Sequence, residues 1–148
     1  MIYLDTSALL KLYIRESGSN EVQKVLSSQS EPLPLWEIQE MELRNALRLK
    51  VFWDDISQSD SDHQLELLEE RKLKGQYVYP RFDRVSLFNR VRTLTDLTPK
   101  TGCRTMDILH VACAIEIQAE LFVSYDLRQI KLAKQARLKV FSGARDPT

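Results

Sequence analysis

Asp5 ends a short apolar run: Ile2, Tyr3 and Leu4 precede it, and Thr6 and Ser7 follow at once. Branched and aromatic residues suit a buried strand, and Asp-Thr-Ser suits the start of a helix, so the acid stands on a strand-to-helix turn. Asp126 holds a matching place, two residues beyond the apolar stretch "LFVS". Asp107 falls in the first turn of a helix whose following Ile108, Leu109, Val111, Ala112 and Ile115 are apolar. Glu42 lies inside a long helix, between Met41 and Leu43. Each acid has an ordinary explanation: a cap, a charge on the helix dipole, or a solvated face shared with Glu37 and Glu40. Were such acids to meet, their chemistry would be narrow. Clustered carboxylates repel and take up protons unless a cation neutralises them. Oxygen ligands without Cys or His favour Mg²⁺ or Mn²⁺ over zinc. Such an ion keeps open positions for phosphate oxygens and acidifies a water for in-line attack at phosphorus.

The elements that must position these acids follow from periodicity. "TSALLKLYIRES" predicts a helix up to Gly18, and "SNEVQKVLSS" a second one. "EPLPLWE" is a possible strand that its two prolines keep off the centre of a sheet. Helices are expected over "EIQEMELRNALRLKVFW", "SQSDSDHQLELLEERKLKG" and "RFDRVSLFNRVRTLTDLT", with a loop at Pro99 and Gly102. "RTMDILHVACAIEIQAE" is a helix with an apolar body, followed by the strand "LFVS", the helix "YDLRQIKLAKQA" and a last strand, "LKVFS". Crossover helices between short apolar strands predict a central, mainly parallel sheet flanked by helices, the α/β class. Sites in such sheets lie beyond the carboxyl ends of the strands, which places Asp5 and Asp126 on one edge. Spacing alone does not bring Glu42 and Asp107 to that edge.

Composition bounds the rest. The chain has 148 residues, enough for one domain over residues 1–148, and its 21 basic residues balance its 21 acidic ones. No global positive field marks a polyanion partner, so any such attraction needs a local patch or a bound cation. Cys103 and Cys113 have neither zinc-finger nor C-x-x-C spacing and read as reduced thiols. No stretch has the length of a membrane span and no basic leader precedes the apolar start, so a cytoplasmic protein is expected. Four glycines, none in a phosphate-cradling loop, exclude a P-loop or dinucleotide fold. An aspartyl-nucleophile phosphatase would want a second Asp where Ser7 stands.

"IYLDTSALLKLY", "ELRNALR" and "CRTMDILHVACAIE…LFVSYDLRQIKLAKQARLKV" together resemble the PIN-domain family, and within it the VapC-type toxin ribonucleases. The resemblance runs in order from the first strand to the last, with little signature over residues 54–97. It implies a PIN-like α/β fold and an acidic catalytic and metal-binding site at Asp5, Glu42, Asp107 and Asp126, Glu40 being second choice to Glu42. Thr6 and Ser124 are implied as orienting groups, Ser124 standing where the family often has Thr. Arg104 is a candidate for phosphate contact or for a salt bridge that fixes a carboxylate. His110, one turn past Asp107, is either catalytic or a packing or hydrogen-bonding residue. The pairs Lys11/Arg15 and Arg44/Arg48 could track a nucleic-acid backbone or be solvated faces. The implied activity is a Mg²⁺- or Mn²⁺-dependent endoribonuclease that leaves a 5′-phosphate and a 3′-hydroxyl. The implied partners are an RNA substrate, a cognate antitoxin and a second copy in a homodimer. The alternatives are a non-catalytic PIN-like binding or scaffold module and a housekeeping RNA-processing nuclease.

Overall fold

Five strands and eight helices are distributed along residues 1–142, which a computed structural model describes. Strand β1 (Ile2–Leu4) leads through the short helix α1 (Thr6–Leu10) and α2 (Ser19–Leu26) to β2 (Leu33–Pro34). Two long helices, α3 (Glu37–Phe52) and α4 (Gln58–Leu73), precede β3 (Tyr77–Val78). Then come α5 (Arg84–Thr95), α6 (Thr98–Thr101), α7 (Thr105–Glu116), β4 (Leu121–Ser124), α8 (Leu127–Gln135) and β5 (Val140–Ser142).

All pairings are parallel. One sheet has the order β1-β4-β5, with Leu4 opposite Val123 and Val123 opposite Phe141. A second sheet pairs β2 with β3, and β2 lies against β1. Successive strand residues point to opposite faces, so Tyr3 and Phe122 enter one core while Leu4 and Val123 enter another. The first core also takes Val111, Cys113 and Leu132, from α7 and α8. The second takes Leu9, Leu35, Leu43 and Leu47, bringing α1 and α3 onto the opposite face. Helices on both faces explain why the strands are apolar up to the serines that end β4 and β5. Both cysteines are buried and unpaired, and among the described residues no helix is long and apolar enough to cross a membrane.

Three local expectations change. The first helix ends at Leu10 rather than running to Gly18, because Lys11 Nζ turns inward to Glu16 (2.9 Å) and to the Ser17 carbonyl (2.7 Å). Gly18 then reverses the chain at φ 91°, where a Cβ would stand 2.7 Å from the Tyr125 hydroxyl. The stretch around Pro99 forms the single turn α6 rather than a loop. Strand β3 was not anticipated, since two residues carry no periodicity to read.

Candidate active site

At the carboxyl edge of the three-stranded sheet, Asp5 follows β1 and Ser124 ends the adjacent β4. The Asp5 N–H donates to the Val123 carbonyl at 3.0 Å, which extends the ladder and holds the two strand ends together. Asp5 is only 1 % exposed, and both its carboxylate oxygens are engaged. Oδ1 accepts from the Ala8 N–H (2.9 Å) and the Ser7 hydroxyl (2.7 Å), and Oδ2 accepts from the Ser124 hydroxyl (2.6 Å). The first of these bonds is the helix cap read from the sequence. Burial pushes the carboxyl above its ordinary value, against the hydrogen bonds from Ser124, Ser7 and the Ala8 N–H. Two serines carry the contact on to the next turn: Ser7 Oγ accepts from the Tyr125 N–H (2.9 Å) and Ser124 Oγ from the Asp126 N–H (3.0 Å).

Asp126 caps α8, its Oδ1 accepting from the N–H groups of Arg128 (2.8 Å) and Gln129 (3.2 Å). The Gln129 side chain then reaches Asp107, its Nε2 donating to Oδ1 at 3.0 Å. The second oxygen of Asp107 accepts from the Arg104 N–H at 2.9 Å, so the acid closes the first turn of its own helix. Gln129 Oε1 is buried and, among the described residues, without a partner. Sequence reasoning did not single out Gln129, although its place three residues after a capping Asp was a legible signal.

Glu42 enters from α3. Its Oε2 accepts from the Thr6 hydroxyl at 2.6 Å and contacts His110 Nε2. Burial penalises the anion, but the hydrogen bonds from His110 and Thr6 outweigh it and hold the carboxyl below its ordinary value. His110 is 2 % exposed, and its Nδ1 lies 2.9 Å from the Tyr3 hydroxyl. His110 therefore touches a candidate site acid rather than merely packing. Thr6 bonds Glu42 and Ser124 bonds Asp5. Arg104 is exposed, and among the described residues its side chain has no ion-pair partner.

The four acids thus belong to one neighbourhood: Asp5, Ser124, Asp126, Gln129 and Asp107 form one hydrogen-bonded series, and Glu42 is tied to Thr6 beside Asp5. Among the described residues no three His, Cys, Asp or Glu side chains converge as a closed ligand group. An all-oxygen set of this kind still fits a hard divalent ion, since Mg²⁺ takes one or two carboxylates and keeps its remaining positions for water and phosphate. The unpartnered Gln129 oxygen adds a further acceptor beside Asp107 and Asp126.

Other candidates are used elsewhere. Lys11 pairs with Glu16 and sits 4.4 Å over the Tyr125 ring, Arg48 pairs with Asp62, and Arg44 with Glu40. Glu40 also binds Lys72 at 3.1 Å, outside the acidic group. Burial resists the Glu40 charge, but Arg44 and Lys72 overcome this and keep its carboxyl below the ordinary value. Glu40→Gln is expected to lower stability by about 1 kcal/mol near neutral pH without changing any RNA cleavage. Because the folded pKa is depressed, that contribution is present above the unfolded pKa of 4.5 and disappears as pH falls through the folded value. Urea denaturation of both forms across acid and neutral pH measures it.

Known proteins resemble the chain over nearly its whole length. The PIN domain profile matches residues 2–135. Ribonuclease VapC47 from Mycobacterium tuberculosis (strain CDC 1551 / Oshkosh) is 29 % identical over 133 residues, or 86 % of either chain. Among solved structures, FitAcB from Neisseria gonorrhoeae superposes with a TM-score of 0.71 at 18 % identity, covering 97 % of this chain and 98 % of the other. VapBC2 from Rickettsia felis, crystallised with a DNA fragment from its promoter, gives 0.61 at 14 % identity, covering 96 % and 98 %. VapBC-1 from nontypeable Haemophilus influenzae gives 0.60 at 17 % identity, covering 98 % and 100 %. At these identities the structural likeness establishes the fold.

Proposed function

The chain belongs to the PIN-domain family, and from that premise we propose that it is a divalent-metal-dependent endoribonuclease acting as the toxin of a toxin–antitoxin pair. The observation that carries this reading is the hydrogen-bonded series from Asp5 through Asp126 to Asp107 at the carboxyl edge of a parallel sheet, with Glu42 held by Thr6 beside Asp5. Those four acids are assigned as the catalytic, metal-holding set. Mg²⁺ or Mn²⁺ bound there supplies the positive charge a phosphodiester needs and makes water a stronger nucleophile. The chain's own contribution is positional. Ser124 and Ser7 lock the Asp5 carboxylate against the β4–α8 turn, Thr6 holds Glu42, and Gln129 spans Asp126 and Asp107. Arg104, exposed at the start of α7, is assigned to the RNA phosphate.

Toxin biology draws support from the 29 % likeness to Ribonuclease VapC47 and from the VapBC structures with which the fold superposes. The proposal therefore includes a cognate antitoxin, a homodimer, a cytoplasmic location and a single domain over residues 1–148. Incubation of the purified protein with a labelled, structured RNA pool tests the core of it. Cleavage is expected with Mn²⁺ or Mg²⁺, leaving 5′-phosphates, and is expected to stop with EDTA and return with excess Mn²⁺. Cleavage that persists in EDTA would remove the metal from the mechanism. Mn²⁺-independent RNA binding without cleavage would favour a binding module.

A further inference from the structure

The acids explain neither the polarity nor the direction of the buried groups behind Glu42. We propose, building on the metal-site reading above, that His110 is a positioning residue for Glu42. A one-way hydrogen-bonded chain from Trp36 through Tyr3 sets the ring tautomer that this role needs.

Direction follows from donor chemistry. An indole N–H can only donate, and Trp36 Nε1 donates to the Tyr3 hydroxyl oxygen at 3.0 Å. Tyr3 is wholly buried, so its one O–H must find an acceptor, and His110 Nδ1 stands 2.9 Å away. Nδ1 therefore accepts, and the ring proton resides on Nε2, which faces Glu42 Oε2. The Thr6 hydroxyl donates to that same oxygen at 2.6 Å. Two donors thus converge on Oε2, and among the described residues Oε1 has no protein donor. Oε1 is the oxygen that Glu42 offers to an ion or its water. The edge of the His110 ring meets Tyr3 at 5.9 Å and 71°, while Tyr3 stacks on Phe122 at 5.7 Å, so the core itself fixes the ring. A residue kept only for packing would need none of these donors, and each would be costly to bury unpaired.

Two readouts test this. The first is long-range ¹H–¹⁵N correlation of the imidazole in the metal-free protein. A protonated Nε2 and a bare Nδ1 are expected, and a proton on Nδ1 would overturn the proposal. The second is Mn²⁺ binding, by paramagnetic resonance without RNA, in two variants. His110→Gln carries an amide to the place of Nε2, whereas His110→Asn reaches only the place of Nδ1. Outer-shell partners of metal ligands typically contribute about 10–100-fold in affinity, so His110→Asn should lose that much and His110→Gln no more than about threefold. Unchanged binding in His110→Asn, or equal losses in both folded variants, would overturn the positioning role. If the wild-type protein binds no Mn²⁺, the metal-site reading fails, and the tautomer spectrum still decides the hydrogen-bonded chain by itself.

Discussion

Asp107→Asn is expected to lower Mn²⁺-supported RNA cleavage by at least about a hundredfold, the scale seen when one group that stabilises developing charge is removed. The fold should tolerate the change. The Asp107 carboxylate accepts from the Arg104 N–H through Oδ2 and from Gln129 Nε2 through Oδ1. An Asn oxygen can keep the Arg104 bond. Its amide nitrogen then faces Gln129, whose buried and unpartnered Oε1 becomes the acceptor once that side-chain amide turns over. Shape and hydrogen bonds survive, and the negative charge does not. Thermal unfolding in chelator should therefore be nearly unchanged, while Mn²⁺ affinity and kcat/KM fall together. Full cleavage in a well-folded Asp107→Asn protein would take Asp107 out of the site.

Ser124→Ala acts through a different route and should be the most destabilising small change at this edge. The Ser124 hydroxyl is wholly buried, donating to Asp5 Oδ2 and accepting from the Asp126 N–H. Its removal strands a carboxylate oxygen and an amide at once, a loss of about 2–4 kcal/mol. The cost should depend on pH. Burial already raises the Asp5 carboxyl, and the Ser124 bond is the largest force opposing that rise, so the variant raises it further. A raised folded pKa means that the folded state binds the proton more tightly than the unfolded one. The added penalty is therefore complete above the variant's folded value and is lost as pH falls from there to the wild-type folded value, the unfolded state being common to both. The share due to the Asp126 amide does not titrate and should remain. Urea denaturation of both proteins from neutral to acid pH measures the two parts separately. A pH-independent difference would mean that Ser124 does not act through the Asp5 charge.

Both effects belong to a site that was legible in the sequence to different depths. Asp5 and Asp126 could be read as neighbours, because each follows a short apolar strand and parallel strands bring their carboxyl ends to one edge. The α/β class followed from the alternation of strand and helix patterns, and the PIN resemblance supplied Glu42 and Asp107 from motif rather than from spacing. The tertiary structure alone decided the rest. Thr6 meets Glu42 across 36 positions of chain and Ser124 meets Asp5 across 119, distances set by how α3 and β4 pack and not by any local propensity. The fates of Lys11, Arg44 and Arg48 were settled in the same way, since an ion pair forms only when folding brings a carboxylate within reach. Strand β3 exists because β2 offers it a partner, which two residues cannot announce by themselves. Local patterns record what each segment prefers, and so the sequence by itself determined the longer helices, the apolar strands of the main sheet and the acids that follow β1 and β4. Which oxygen of Glu42 is held, and by which nitrogen of His110, depends on donors spread over three elements, so only their packing could decide it.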